Sequence, residues 1–269
     1  MEFFVDTADL DQIRESYAWG IVDGVTTNPS LIKKAVEKLR KDGSSLGIPE
    51  YIENILRVAQ GDPVSLEVIG LTAEEMYSQA MTLYERFNPI AENVVIKIPV
   101  NPNMGDNPEH AFDGLSTIAR LAEAGIPVNT TLIFTPEQAL LAAKAGAAYV
   151  SPFAGRVDDD LRKMAGETFD KTDYYPADGV EGRDDNGIES GVDLVARCVE
   201  IMEIHGFETQ VLAASLRNPR QVRECALVGS HVATIPFNVL SAMAEHKKTV
   251  EGMKAFTADI VPEYAQIFE

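Results

Sequence analysis

Basic residues are in short supply in this chain. Lysine and arginine together number 23 against 42 aspartates and glutamates, a formal net charge of −19. Such a field repels nucleic acid and anionic membranes, so neither is expected as a partner, and an anionic substrate must be met by locally placed cations. Cysteine is rarer still. Cys198 and Cys225 are the only two; they lie in helix-like stretches without metal-ligand spacing and read as reduced, packed thiols of a cytoplasmic protein. No apolar run reaches the ~18 residues of a membrane span, and the opening MEFFVDTADL carries acids where a signal peptide needs basic residues. Low-complexity tracts and linkers are missing too. With 45% hydrophobic content, residues 1–269 read as one domain.

What the chain does have is alternation. Short runs rich in Val, Ile and Thr recur between helix-period segments, the pattern of a parallel sheet with crossover helices. Eight runs read as strands: EFFVD (2–6), GVTTN (24–28), VSLEV (64–68), VVIKIPV (94–100), PVNTTLI (127–133), YVSPFAG (149–155), TQVLAAS (209–215) and HVATIPF (231–237). A helical stretch follows each, the second placed around 49–59 and the sixth beginning only at 190. Eight such units predict an α/β fold, a single (β/α)8 or TIM barrel, with function at the C-terminal ends of the strands.

One segment breaks the rhythm. Residues 157–190, after the sixth strand, hold eleven acids against four bases and read as a long acidic loop, either an active-site cover or a mobile excursion. Its DDNG piece suggests a calcium loop. With Gly187 in the glycine slot, however, the first ligand position falls on Gly182 and the last on Asp193, so no metal is expected.

The chemistry-bearing question sits in VVIKIPV. An inner barrel strand faces the barrel interior on one side and the helix layer on the other, so Lys97 has no simple exit to water. Burial disfavours an ammonium, and a neutral amine is the nucleophile that forms a Schiff base with a ketone or aldehyde. A lysine near a strand end that snorkels to solvent or pairs with a carboxylate fits equally well. The neighbours narrow this. Asp6 ends the first strand and Glu67 lies near the end of the third, aiming two carboxylates at the rim that holds Lys97. Singly, Asp6 also suits a helix N-cap and Glu67 a rim ion pair.

Other strand ends are polar as well. Thr26, Thr27, Asn28, Asn129, Thr130 and Thr131 suit sugar hydroxyls or a held water, and suit ordinary strand and turn positions no less. Arg156 after the sixth strand, with Ser215 and Arg217 after the seventh, reads as a phosphate clamp or as cations offsetting nearby acids.

Taken together, VDTAD, GVTTNPSLI, SLEV, VVIKIPV, IPVNTTLIFTPEQALLAAKAGAAYVSPFAGRVDD and VLAASLRNPRQV resemble the transaldolase family and the related fructose 6-phosphate aldolases. The resemblance implies a Schiff-base enzyme of the pentose phosphate pathway that moves a dihydroxyacetone unit between sugar phosphates with neither metal nor organic cofactor. It implies Lys97 as the imine-forming lysine, Asp6 as general acid/base, and Glu67 with Thr131 as the pair holding a proton-shuttling water. Thr27, Asn28, Asn129 and Ser151 would line the pocket of the bound unit, and Arg156, Ser215 and Arg217 would hold the phosphate. Phe134 is expected where the aldolases carry a tyrosine, and Glu67 where they carry a glutamine, which favours transfer over simple cleavage. Resembling proteins form rings, so a homo-oligomer is expected, a pentamer or decamer, with 253–269 as a helix exchanged between subunits. An aldolase acting without acceptor, an enzyme for a sulfonated ketose, and a catalytically silent binding barrel stay open.

Overall fold

In the computed structural model, eight parallel strands close into a barrel in sequence order: β1 Glu2–Asp6, β2 Gly24–Thr26, β3 Val64–Glu67, β4 Val94–Pro99, β5 Val128–Ile133, β6 Tyr149–Pro152, β7 Gln210–Ala213 and β8 Val232–Ile235. The structure describes residues 1–268 except 42, 44, 45, 106 and 107. The predicted unit 1–269 includes these five positions and 269, which lie outside the described residues. All eight predicted strands are present; β1 keeps its predicted bounds and the other seven are shorter by one to three residues. The fold is the expected (β/α)8 barrel.

The helices described are α1 Leu10–Ala18, α2 Pro29–Lys41, α3 Ile48–Val58, α4 Ala73–Ala91, α5 Asp113–Glu123, α6 Pro136–Lys144, α7 Ala154–Met164, α8 Gly191–His205, α9 Pro219–Leu227, α10 Phe237–Ala242, α11 Lys247–Ala258 and α12 Pro262–Ala265. Their starts are written in the sequence. Thr72 and Thr135 form reciprocal capping boxes with Glu75 and Gln138, and Asn218 caps α9 just ahead of Pro219. Asp9, not Asp6, caps α1, so Asp6 is left for the barrel rim.

Two helices depart from the sequence reading. α2 precedes the helix expected near 49–59. α7 takes the first part of the segment read as a loop over 157–190, which leaves 165–190 as the connection. The reason is burial of charge: Asp158, Asp159 and Arg162 of α7 face inward beside Val157 and Leu161 and mask the amphipathic period.

Strand alternation divides the side chains. On β4, Val94, Ile96 and Ile98 pack between sheet and helices, while Val95 and Lys97 take the barrel face. Inside, Phe4, Leu212 and Val232, with Tyr149 against them, make an apolar plug in the N-terminal half. The plug is tight: a Cβ at Gly24 would come within 2.7 Å of the Phe4 ring. Two residues further along, polar side chains take over on three of these strands, as Asp6, Ser151 and Thr234, while the chain leaving β7 continues with Ala214.

Beyond Ala242 the chain changes character. From Lys247 to Phe268 every residue except Gly252 is exposed, including Val250, Met253, Phe256, Ile260, Tyr264 and Phe268. Among the described residues no helix is long and apolar enough to cross a membrane.

Candidate active site

Register assembles the site. Parallel pairing sets Asp6 beside Thr26, Glu67 beside Lys97, and Lys97 beside Asn129, so five neighbouring strands deliver these groups to one level of the barrel. There they line a cavity of about 670 Å³ with Thr131, Ser151, Phe153 and Thr234. Lys97 is only 6% exposed. Its Nζ lies 3.4 Å from Glu67 Oε2 and donates at 3.4 Å to the Thr27 carbonyl. The amine is thus nearly buried and also meets a carboxylate, combining features of both sequence readings.

The carboxyls are tuned by the same enclosure. Burial pushes Asp6 above its ordinary range, against the opposing pull of the Lys97 charge and a hydrogen bond from Thr26 Oγ1 at 2.9 Å. Burial likewise raises Glu67, against the charges of Lys97 and Arg156. Carboxyls raised in this way hold and return protons nearer neutrality than free ones do.

The polar wall is already hydrogen bonded. Ser151 Oγ donates to Asn129 Oδ1 at 2.6 Å, and Asn129 Nδ2 donates to Ser65 Oγ at 3.1 Å, fixing the amide's orientation. Asn28 Oδ1 accepts from Leu31 N at 3.0 Å and so starts α2, leaving its amide nitrogen at the cavity. Thr27 enters differently from expectation. Its hydroxyl is spent on the Ser65 carbonyl at 2.8 Å, and it reaches Lys97 through its own carbonyl.

β5 carries an irregularity that shapes the wall. Its register with β6 shifts between Thr130 and Ile133, and Leu132 sits at φ 60°, a left-handed backbone unusual for leucine. Both Thr131 and Leu132 then line the cavity, while Phe134 does not. Phe134 borders an outer recess of about 420 Å³, its ring 5.7 Å from that of Phe153. The aromatic ring facing Lys97 is therefore that of Phe153. Sequence reading also passed over Thr234, whose hydroxyl shares the hydroxyl of Thr26.

Arg156, Ser215 and Arg217 meet at the mouth. Arg156, exposed at the start of α7, lies 4.8 Å over the Phe153 ring and, among the described residues, has no carboxylate within ion-pair distance. Arg217 Nη2 binds Asp159 Oδ2 at 3.1 Å, and its Nε is buried without a partner. α7 approaches this loop closely because residue 155 is glycine: a Cβ there would lie 2.2 Å from the Ser215 carbonyl. Behind the arginines, Asp158 ties three helices together, accepting from Gly191 N and Gln221 Nε2, each at 2.7 Å. Burial pushes Asp158 up to about 7, only partly offset by these bonds. Among the described residues no group of three His, Cys, Asp or Glu is placed to hold a metal.

A buried lysine among raised carboxyls at the C-terminal end of the strands, with cations at the cavity mouth, occupies the place where (β/α)8 enzymes carry their active sites. The comparisons with known proteins sharpen this. The sequence pattern of the family described as Transaldolase/Fructose-6-phosphate aldolase matches residues 3–266. The chain is 40% identical over 261 residues to a "Probable transaldolase" of Chlorobium phaeobacteroides, covering 96% of each chain. It is 38% identical over 259 residues to proteins of the same name from Symbiobacterium thermophilum and Aquifex aeolicus, again over 96% of each chain. The chain belongs to the transaldolase/fructose-6-phosphate aldolase family.

Proposed function

We propose that the protein is a transaldolase that carries a dihydroxyacetone unit from fructose 6-phosphate or sedoheptulose 7-phosphate to an aldose phosphate through a Schiff base on Lys97. The observation that carries this reading is the register-coupled set of Lys97, Glu67 and Asp6 in an enclosed cavity.

Lys97 Nζ attacks the ketose C2, and the carbinolamine loses water to give an iminium. Glu67 and Thr131 hold the water through which those protons move. Asp6 takes the C4 hydroxyl proton, the C3–C4 bond breaks, and its electrons pass into the iminium to leave an enamine. The aldose phosphate departs. The enamine carbon then attacks the carbonyl of a second aldose phosphate, Asp6 returns its proton to the new hydroxyl, and water releases the product. Asn28, Asn129 and Ser151 hold the hydroxyls of the retained unit, and Arg156, Ser215 and Arg217 receive the phosphate. The ring of Phe153 has no proton to give the enamine, which favours capture by an aldose over release of free dihydroxyacetone.

Borohydride reduction in the presence of fructose 6-phosphate is expected to add a dihydroxyacetone-derived mass to the peptide containing Lys97. Labelling elsewhere, or none, overturns the mechanism. The reading includes a cytoplasmic setting and a homo-oligomer in which segment 247–268 packs on another copy of the chain, supported by its row of exposed apolar side chains. Sedimentation of the full chain as a monomer at micromolar concentration removes the oligomer.

A further inference from the structure

The Lys97 cavity and the outer recess share three lining residues, and all three are cations: Arg156, Lys171 and Arg217. In a chain with 42 acidic residues that coincidence is informative. Lys171 comes from the 165–190 connection, which holds one other base. Arg183 pairs with Glu167, while buried Arg162, at the end of α7, donates to the Asp173 carbonyl at 3.1 Å. Lys171 has no carboxylate within ion-pair distance among the described residues.

The turn that carries it is built rather than loose. Asn218, the cap of α9, donates to the Thr172 carbonyl at 3.2 Å, and the Asp170 carboxylate accepts from Thr172 N at 2.8 Å and from its hydroxyl at 2.6 Å. Aromatic residues on both sides clamp it: Arg162 lies 5.0 Å over Phe169 and 5.1 Å over Tyr175, and Arg220 lies 3.7 Å over Tyr174. The anchor residue Asn218 follows Arg217 directly, so the loop is fastened to the segment that supplies the arginine.

We propose that Lys171 is a specificity-determining residue of the anion subsite, making it selective for a dianionic phosphate monoester over a singly charged sulfonate end group. This rests on the transaldolase reading of the site. The charge balance supplies the reason. Arg217 is paired with Asp159, so among the three cations common to both spaces the arginines leave about one net positive charge, which suits a monoanion, and Lys171 raises it to two; Lys34 of α2 lines the Lys97 cavity but not the outer recess. A phosphate monoester carries between about 1.5 and 2 negative charges at pH 7, with a second pKa near 6. Asp160 and Asp185 border the outer recess only, not the Lys97 cavity.

Lys171→Gln is the test, with two readouts. With fructose 6-phosphate at pH 7.5 we expect KM to rise about 10-fold, the loss falling on KM rather than kcat, and the gap from the wild type to narrow below pH 6 as the phosphate becomes a monoanion. Lys171→Arg is expected to recover most of the loss. Inorganic phosphate, titrated calorimetrically against both proteins, is expected to bind the variant about 10-fold more weakly. Equal KM and equal phosphate affinity in wild type and variant overturn the proposal. If the wild type does not turn over fructose 6-phosphate, the transaldolase reading fails on its own and phosphate binding decides the role of Lys171: weaker binding to the variant supports it, equal or absent binding to both rejects it.

Discussion

The two halves of the barrel interior are made by the same strands and differ completely in content. On β1 the inward side chain is Phe4 in the lower half and Asp6 in the upper; on β4 it is Val95 and then Lys97; on β6 Tyr149 and then Ser151; on β8 Val232 and then Thr234. Two residues of strand, about 6.6 Å, separate packing from chemistry. The lower half gains from excluding water. The upper half uses the same exclusion to raise Asp6 and Glu67, which a site open to solvent would not do. The plug is thus the floor that gives the polar layer its low dielectric.

Exchanging the consequences of mutation between the two layers is the sharpest way to break this division. Lys97→Ala is expected to lower transaldol turnover by at least about 10⁴-fold with near-ultraviolet circular dichroism unchanged, because it removes the proposed nucleophile and leaves the plug intact. Phe4→Ala, two residues from Asp6 along the same strand, is expected to cost about 3–5 kcal/mol in urea unfolding while the borohydride adduct still forms on Lys97. Loss of folding in the first variant, or of adduct in the second with folding retained, dissolves the distinction.

Asp158 sharpens the comparison from outside the barrel, since it is a buried, raised carboxyl with a structural task. Its folded pKa, about 7, exceeds its ordinary 3.8. The folded state therefore binds the proton more tightly than the unfolded chain, so this contribution to stability is full below about pH 4 and is lost as pH rises towards 7. The wild type should lose a few kcal/mol on this account between about pH 4 and pH 7. Asp158→Asn should abolish that slope and be less stable at pH 4, because Gln221 Oε1 already accepts from Arg217 N, so the Gln221 amide cannot turn to receive the new one. A slope common to both proteins assigns the pH dependence elsewhere.

The smallest expected effect concerns the ring facing Lys97. Phe153→Tyr places a phenol in the cavity, and acceptor-free release of dihydroxyacetone from fructose 6-phosphate should rise about 10-fold, equivalent to ~1.4 kcal/mol. Phe134→Tyr, in the outer recess, should change it far less. Equal responses would mean that both rings reach the reacting carbon.

Much of this was legible in the sequence, for identifiable reasons. Parallel barrel strands are near-continuous apolar runs, so a lysine or aspartate inside one stands out, and Lys97 and Asp6 did. Helix α7 escaped because its buried face holds Asp158, Asp159 and Arg162, which a hydrophobic period does not register. Phe134 was expected at the cavity from the family resemblance alone, and the register shift after Thr130, which depends on backbone geometry that no side-chain pattern encodes, leaves it at the outer recess. Lys171 lay in an acidic segment with no visible structure of its own; the bond from Asn218 to the Thr172 carbonyl and the stacking of Arg162 and Arg220 on its aromatic neighbours, none of them visible in the sequence, bring it to the mouth.

The left-handed backbone at Leu132 has a consequence for laboratory evolution. Holding leucine there costs about 1 kcal/mol that glycine would not incur, yet the isobutyl group walls the space beside Lys97. A screen for heat resistance would reward glycine at 132, and a screen for turnover would reward leucine. Improvement under one pressure is erosion under the other, and position 132 is where the two selections would diverge.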